Sequence, residues 1–187
     1  WLREKLWRKE KIAKILKIPA NKILFSEHHL SHAASAFYTS PFERAAILTA
    51  DAVGEWSTTS WGIGIDRKIH LANETTFPHS LGLFYSTFTQ FLGFEINEGE
   101  YKVMGLASYG KPRFTYKVKK LIDQSSDGAF QLDLSYFNFH LSGKVSFNDK
   151  FAHLFGVPPL DPKKSDQVIP VYADIAASAQ KVLEEKL

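Results

Sequence analysis

The sequence contains no cysteine. That excludes a disulfide framework and any thiolate metal site. It has no uninterrupted apolar run of about 18 residues, the length a membrane-spanning helix needs. No secretory leader is visible, no stretch repeats, and no RNA-binding signature follows the basic segment. These absences make a cytoplasmic enzyme without disulfides or membrane anchor the default expectation.

The 187 residues suffice for one domain with a real core, or for part of a larger one. The chain begins at Trp1 and stops at Glu184-Glu185-Lys186-Leu187, inside an expected helix, so it reads as a piece of a longer protein. The net charge of +3 hides an asymmetry: residues 1–22 hold eight Lys or Arg against two Glu, +6, which leaves −3 for the rest. Leu2, Leu6, Ile12, Ile15 and Leu16 give Trp1–Lys17 the period of an amphipathic helix. Such a helix serves nucleic acid or membranes, or is a surface helix with a solvated basic face. Few aromatics interleave its charges, so the solvated face is favoured, and neither nucleic acid nor membrane is expected as a partner.

Along the chain, Ile18-Pro19 breaks the first helix and Lys22–Phe25 reads as a short strand. A helix with Ser26 as N-cap is expected through His28 to Phe37 or Tyr38. A buried strand follows over Ala45–Ala50, ending at Asp51. After a turn at Glu55–Thr59, strands at Trp61–Asp66 and Ile69–Thr75 complete an antiparallel meander. Ser80 caps a helix over Leu81–Leu92, whose stripe of Leu81, Phe84, Tyr85, Phe88, Phe91 and Leu92 is core rather than a cofactor box, and Gly93 ends it. Beyond lie a short helix at Tyr116–Ile122 and a turn at Asp123–Gly128. Strands follow at Phe130–Leu134, Tyr136–His140 and Lys144–Phe147, then a helical turn at Phe151–Phe155 and a loop at Pro158–Pro162. Helix returns over Val171–Leu187. Residues 113–170 read as an insertion that helps set substrate choice. His140 and His153 lack ligand neighbours in sequence and are taken as structural.

Three histidines fall within the five residues from His28 to His32. On a helix, His28 and His32 share one face and can grip one metal ion, while His29 points elsewhere. A structural or solvated pair is the plain alternative. A carboxylate at a strand end beside a glycine turn, Asp51-Ala52-Val53-Gly54-Glu55, is a common metal or phosphate position. Two histidines and one aspartate form a two-His, one-carboxylate set with open positions. Further on, Glu98-Gly99-Glu100-Tyr101-Lys102-Val103-Met104-Gly105 concentrates carboxylates, a lysine and glycines. Lys102 suits a phosphate oxygen as a point charge. Glu98 and Glu100 suit a ligand hydroxyl or amine, or a base, and Gly99 and Gly105 permit close backbone approach. An ordinary turn before a helix explains the same residues from composition alone.

His28-His29-Leu30-Ser31-His32-Ala33, Thr49-Ala50-Asp51-Ala52-Val53-Gly54-Glu55-Trp56 and Gly99-Glu100-Tyr101-Lys102-Val103-Met104-Gly105-Leu106-Ala107-Ser108-Tyr109-Gly110 occur in this order. Together, from about Ile18 onward, they resemble the NodU/CmcH carbamoyltransferase family, whose amino-terminal domain is similar to tRNA threonylcarbamoyl-transfer proteins. The resemblance implies an α/β (here α+β) part of an actin/sugar-kinase-like ATPase-superfamily domain, with a mixed sheet and flanking helices. It implies O-carbamoyl transfer from carbamoyl-adenylate to a small-molecule hydroxyl on a sugar or natural product. The adenylate is made from carbamoyl phosphate and ATP by a carboxy-terminal domain of the same parent chain.

On this reading His28, His32 and Asp51 hold a divalent metal, iron first and zinc or manganese as alternatives. Lys102 joins them in catalysis. Gly54, Glu55, Glu98, Gly99, Glu100, Lys102 and Gly105 line the nucleotide or carbamoyl side, and Glu27 or Ser31 supports the ligands. Family sites use a further aspartate for which this chain shows no counterpart, and Ala52 stands where many relatives have glycine. The metal set therefore reads as incomplete, and the chain alone is expected to be inactive. A metal-dependent ATP hydrolase or kinase-like enzyme and a non-catalytic RNA-modification partner remain the alternatives.

Overall fold

The structure is a computed structural model and describes residues 7–124, 128–141, 144–161 and 169–187. Helix α1 (Arg8–Leu16) ends in a left-handed Lys17, whose N–H closes on the Ala13 carbonyl. Proline at position 19 then bars further helix. None of the residues of α1 is buried, the arrangement of a solvated surface helix; the first six residues of the expected helix lie outside the described residues. The strand expected over Lys22–Phe25 is absent. Ala20–Lys22 form a 3-10 turn, and Leu24 and Phe25 run on exposed. A β-pattern without a partner strand has nothing to satisfy its backbone.

Helix α2 (His28–Phe37) is capped by Glu27 rather than Ser26. Ser31 Oγ donates to the Glu27 carbonyl at 2.9 Å, closing the first turn. The stripe His29, Ala33 and Phe37 is buried. It packs on a meander of β1 (Arg44–Gly54), β2 (Ser57–Ile65) and β3 (Lys68–Thr76), antiparallel in the order β1-β2-β3 as expected.

Strand β1 departs from expectation in two ways. It is not buried throughout. Ile47 and Thr49 face α2 and are buried, whereas Leu48, on the opposite face, is 51% exposed. Nor does it end at Asp51. Pairing runs to Ala50↔Thr59 and resumes at Gly54↔Ser57, so Asp51, Ala52 and Val53 oppose Thr58 alone. That bulge lifts Asp51 out of the regular ladder. The turn expected over Glu55–Thr59 contracts to Glu55-Trp56, with Glu55 at φ 64°.

Helix α3 (Leu81–Phe91) starts where expected: Ser80 Oγ accepts the Leu83 N–H at 3.0 Å, and Gly93 follows the helix in the left-handed region at φ 79°. Every residue of its expected apolar stripe is buried. A helix apolar on nearly every side belongs in a protein centre. Its buried hydroxyls are satisfied: Ser86 donates to Glu100, Thr87 to the Leu83 carbonyl and Thr89 to the Tyr85 carbonyl. Around it stand α4 (Glu100–Ala107), α5 (Thr115–Val118), α6 (Asp149–Phe155) and α7 (Pro170–Lys186). A hairpin of β4 (Ile122–Gln124) and β5 (Phe130–Leu132) completes the set.

Several expectations beyond residue 113 are corrected. The helix over Tyr116–Ile122 breaks into α5 and a 3-10 turn at Lys119–Leu121, and Ile122 enters β4. Asp123 and Gln124 are strand rather than turn; residues 125–127 of that turn lie outside the described residues. Leu134–Tyr136 is a 3-10 turn. The strands at Tyr136–His140 and Lys144–Phe147 reduce to one bridge, Phe137↔Phe147. Residues 158–161 form the expected loop, whose last residue, Pro162, is outside the described residues. Val118, Leu121, Phe130, Phe137, Phe151 and Phe155 join α3 and α7 in one core. The architecture is thus mixed: helices and two small antiparallel sheets. No helix among the described residues is long and apolar enough to cross a membrane.

Candidate metal centre

Helix α2 meets the sheet through one stripe and turns the adjacent stripe toward the β1 bulge. Position 29 and positions 33 and 37 go down into the sheet, so positions 28 and 32, one turn apart, look along it at Asp51. His28 Nε2 lies 2.6 Å from Asp51 Oδ2 and His32 Nε2 lies 3.4 Å from the same oxygen. The two imidazole Nε2 atoms are 2.9 Å apart. Among the described residues this is the one set of three potential ligand atoms within 4.8 Å of one another.

Asp51 is aimed by its own backbone. Its Oδ1 accepts the Ala52 N–H at 2.7 Å, leaving Oδ2 to the histidines. Partial burial pushes the Asp51 carboxyl up, but hydrogen bonds from His28, the Ala52 amide and His32 outweigh it and hold the group below the usual carboxylate range. The bulge is pinned from the other side by Ser80, whose Oγ lies 3.1 Å from the Asp51 carbonyl and 2.6 Å from that of Ala52. Gly82, at the start of α3, permits this contact: a β-carbon there would stand 2.6 Å from the Ala52 backbone.

The triad passes a simple test of fit to a cation. His28 Nε2 faces both Asp51 Oδ2 and His32 Nε2, yet a ring nitrogen carries at most one proton. Protonated, it donates to one of them and offers the other no lone pair. Three donor atoms crowded beyond what their protons can satisfy match a shared cation, whose ligands sit about 2.0–2.2 Å from it. Imidazole nitrogen with carboxylate oxygen suits iron, zinc or manganese.

His29 is the site residue that sequence spacing had set aside. It is 5% exposed. Its Nδ1 lies 2.6 Å from Thr49 Oγ1 and 3.0 Å from Ser60 Oγ, paired residues of β1 and β2. Its Nε2 is buried without a hydrogen-bond partner. Burial holds the ring below the usual histidine range, against smaller raising contributions from Asp51 and the Ser57 backbone. The signal was present in the spacing 29-33-37, which heads the buried stripe of α2 with a histidine.

Gly54 and Glu55 stand beside the triad and line a groove with His28 and His29. Glu27 lines it too, whereas Glu98, Gly99, Glu100, Lys102 and Gly105 do not. Glu100 Oε1 accepts Ser86 Oγ at 2.7 Å and the Asn97 N–H at 3.1 Å, tying the loop before α4 to α3. Burial raises the Glu100 carboxyl, but those bonds prevail and hold it low. A β-carbon at Gly99 would meet its own loop at Phe94 and Glu95, whereas one at Gly105 would meet nothing. Glu98 and Lys102 are exposed, and Lys102 Nζ sits 6.0 Å from the Phe94 ring and 5.8 Å from that of Tyr101. The expected supporting role of Ser31 is taken by its bond to the Glu27 carbonyl.

The sequence profile of the Carbamoyltransferase N-terminus family matches residues 1–187. The chain is 46% identical over 193 residues to the uncharacterized protein sll1178 of Synechocystis sp., covering 99% of this chain and 31% of that protein. It is 42% identical over 98 residues to the nodulation protein NolNO of Sinorhizobium fredii, across 51% of this chain and 14% of that one. With the nodulation protein NolO of Bradyrhizobium diazoefficiens it shares 31% identity over 160 residues, 84% of this chain and 26% of that one. The chain therefore spans no more than about a third of the length of these relatives.

Proposed function

Because this chain belongs to the Carbamoyltransferase N-terminus family, we propose that it is the part of a carbamoyltransferase that transfers a carbamoyl group, with metal assistance, to a substrate hydroxyl. What supports the reading is the convergence of His28 Nε2, His32 Nε2 and Asp51 Oδ2, within 2.6–3.4 Å of one another. These three atoms hold a divalent cation, iron first and zinc or manganese as alternatives. When bound, it supplies Lewis-acid polarisation of a carbamoyl or phosphate oxygen.

The chain's own residues prepare that site. Asp51 contributes a carboxylate kept ionised by its hydrogen bonds. His28 and His32 offer Nε2 from a helix fixed to the sheet by His29, Ala33 and Phe37. Ser80 keeps the bulge that carries Asp51 in register with α3. The donor in this proposal is carbamoyl-adenylate, formed from carbamoyl phosphate and ATP by a carboxy-terminal domain of a longer parent chain. Lys102, Glu98, Gly99, Glu100 and Gly105 then belong to a second wall on α4 and its preceding loop. An actin/sugar-kinase-like fold for the whole domain and a cytoplasmic setting are part of the same proposal.

The test is transfer of labelled carbamoyl from carbamoyl phosphate, with ATP, to a sugar or natural-product hydroxyl by the full-length parent. Asp51→Asn is expected to cut transfer by at least the roughly 100-fold that loss of a ligand's supporting partner can reach, and the 187-residue chain alone is expected to give none. ATP turnover that does not require carbamoyl phosphate would instead favour a metal-dependent ATP hydrolase.

A further inference from the structure

His29 lies between the two histidines of the triad in sequence and against both in space. Its ring centroid is 5.9 Å from that of His28 and 6.2 Å from that of His32. Its Nδ1 reaches Thr49 Oγ1 at 2.6 Å and Ser60 Oγ at 3.0 Å. Thr49 precedes Asp51 by two residues on β1. The pair Thr49↔Ser60 is the last rung but one before the bulge. One buried ring thus joins the helix that carries His28 and His32 to the ladder that carries Asp51. We propose that His29, held by Thr49 and Ser60, is the positioning residue of the triad. It sets the separation and orientation of the two histidine ligands relative to Asp51, and with them the affinity and coordination geometry for a divalent metal. This role rests on the metal reading of the triad; the tie between helix and ladder rests on the distances alone.

The first turn of α2 has little else to hold it. Its N-cap, Glu27, makes no side-chain capping bond, and Ser31 Oγ bonds within the helix. Apart from the contacts of His28 and His32 with Asp51 itself, no other hydrogen bond among the described residues joins α2 to the sheet. Tyr38 Oη reaches the Arg67 carbonyl at 3.0 Å, but only beyond the far end of the helix. Ala33 and Phe37 pack on the sheet by apolar contact. Such contact is non-directional; it holds the helix down without fixing its slide or rotation. A hydrogen bond is directional, and this one acts at the residue next to His28.

Histidine is also a costly choice at this place. Its Nε2 is buried with no partner, and an unpaired buried polar atom loses its hydration for nothing. A leucine would fill the stripe without that cost, as Ala33 and Phe37 do. What histidine supplies there and leucine does not is Nδ1. The two hydroxyls depend on it in turn, because Thr49 is 7% exposed and Ser60 2%. Thr49 Oγ1 otherwise finds only the Ser60 carbonyl, at 3.4 Å. Ser60 Oγ bonds to nothing else among the described residues. A buried polar network of this kind fixes one arrangement of the elements it joins.

The experiment is a cobalt(II) titration of the metal-free full-length parent, read by visible absorption bands that follow coordination geometry, with thermal melting of each variant. Thr49→Val with Ser60→Ala removes both hydroxyls at nearly constant volume and leaves the helix untouched. It is expected to lower cobalt affinity about ten-fold or more, as loss of a partner that orients a ligand does, and to shift the bands. His29→Leu is expected to do the same. His29→Asn, whose amide reaches the place of Nδ1, is expected to recover most of the affinity and the wild-type bands. Phe37→Leu, in the same buried stripe, is expected to lower the melting temperature and leave affinity and bands as they are. Unchanged affinity in the double variant, no recovery with asparagine, or a loss in Phe37→Leu equal to that in His29→Leu overturns the proposal. Should His29→Leu not fold, the double variant decides. A wild-type parent that takes up no cobalt refutes the metal reading of the triad and this role with it. A parent that binds cobalt, beside a double variant that binds it equally well, refutes the positioning role alone.

Discussion

A β-carbon at Gly54 would stand 2.5 Å from Cδ2 of His28 and 2.7 Å from the His29 ring. The site depends on that missing methyl, since the histidine helix lies directly on the bulge. Gly54→Ala is expected to push α2 off the sheet, destabilising the chain by about 1–3 kcal/mol, as overpacking does. Metal affinity should fall about ten-fold or more; thermal melting and metal titration read the two effects. The pairing of His28 and His32 was legible in the spacing, and Asp51 in its glycine-flanked position. The role of Gly54 was not, because a close approach between elements is not written in either element. His79 gives a pH prediction. Its Nδ1 accepts the Leu132 N–H at 3.0 Å, and burial holds its ring below the usual histidine range. The folded chain therefore binds fewer protons there than the unfolded one. Its contribution to stability is complete above about pH 6.5, the unfolded value, and is lost as pH falls below that toward the lowered folded value. Urea midpoints between pH 8 and 5 should show the loss, and His79→Gln should flatten that part of the slope.

Helices declared themselves more clearly than strands. The 3.6-residue period of α3 is carried by its own side chains, so its start at Ser80, its apolar stripe and the glycine after it could all be read in advance. The meander was legible because short turns bring its partners together. Strand patterns at Lys22–Phe25 and Tyr136–His140 misled because a strand also needs a neighbour, and Phe137 finds only a single bridge to Phe147. The bulge in β1 was hidden for the same reason: it is a mismatch between two strands, Asp51 to Val53 against Thr58. Ser80 joins these elements, since it caps α3 and reaches the carbonyls of the bulge. Ser80→Ala is expected to cost about 1 kcal/mol as a lost cap and further stability from the lost bonds to β1. Metal affinity should fall with it, whereas Thr87→Ala, within the same helix but bonded only to the Leu83 carbonyl, should leave metal affinity unchanged.

The whole molecule is held by its phenylalanines. Phe88 packs at 5.1 Å from Phe84 and 5.2 Å from Phe151, and Phe151 at 5.3 Å from both Phe91 and Phe155. The cluster joins α3 to α6, which residues 113–170 supply, so Phe151→Ala is expected to cost about 3–5 kcal/mol. It should lower the melting temperature of the entire chain rather than loosen one segment. The apolar stripe of α3 announced such a core, but which distant phenylalanines meet it is set by tertiary folding. The family was legible because three short motifs keep their order along the chain, and two of them meet at one place, His28 and His32 with Asp51. The measurement that tests this account most directly is metal content by elemental analysis of the untagged full-length parent after reconstitution with ferrous iron, zinc or manganese, beside its His32→Ala and Asp51→Asn variants. One equivalent of bound metal, lost in both variants while their folded spectra persist, is the expected result. Wild-type protein that stays metal-free, or variants that keep the metal, would contradict the assignment of these three residues.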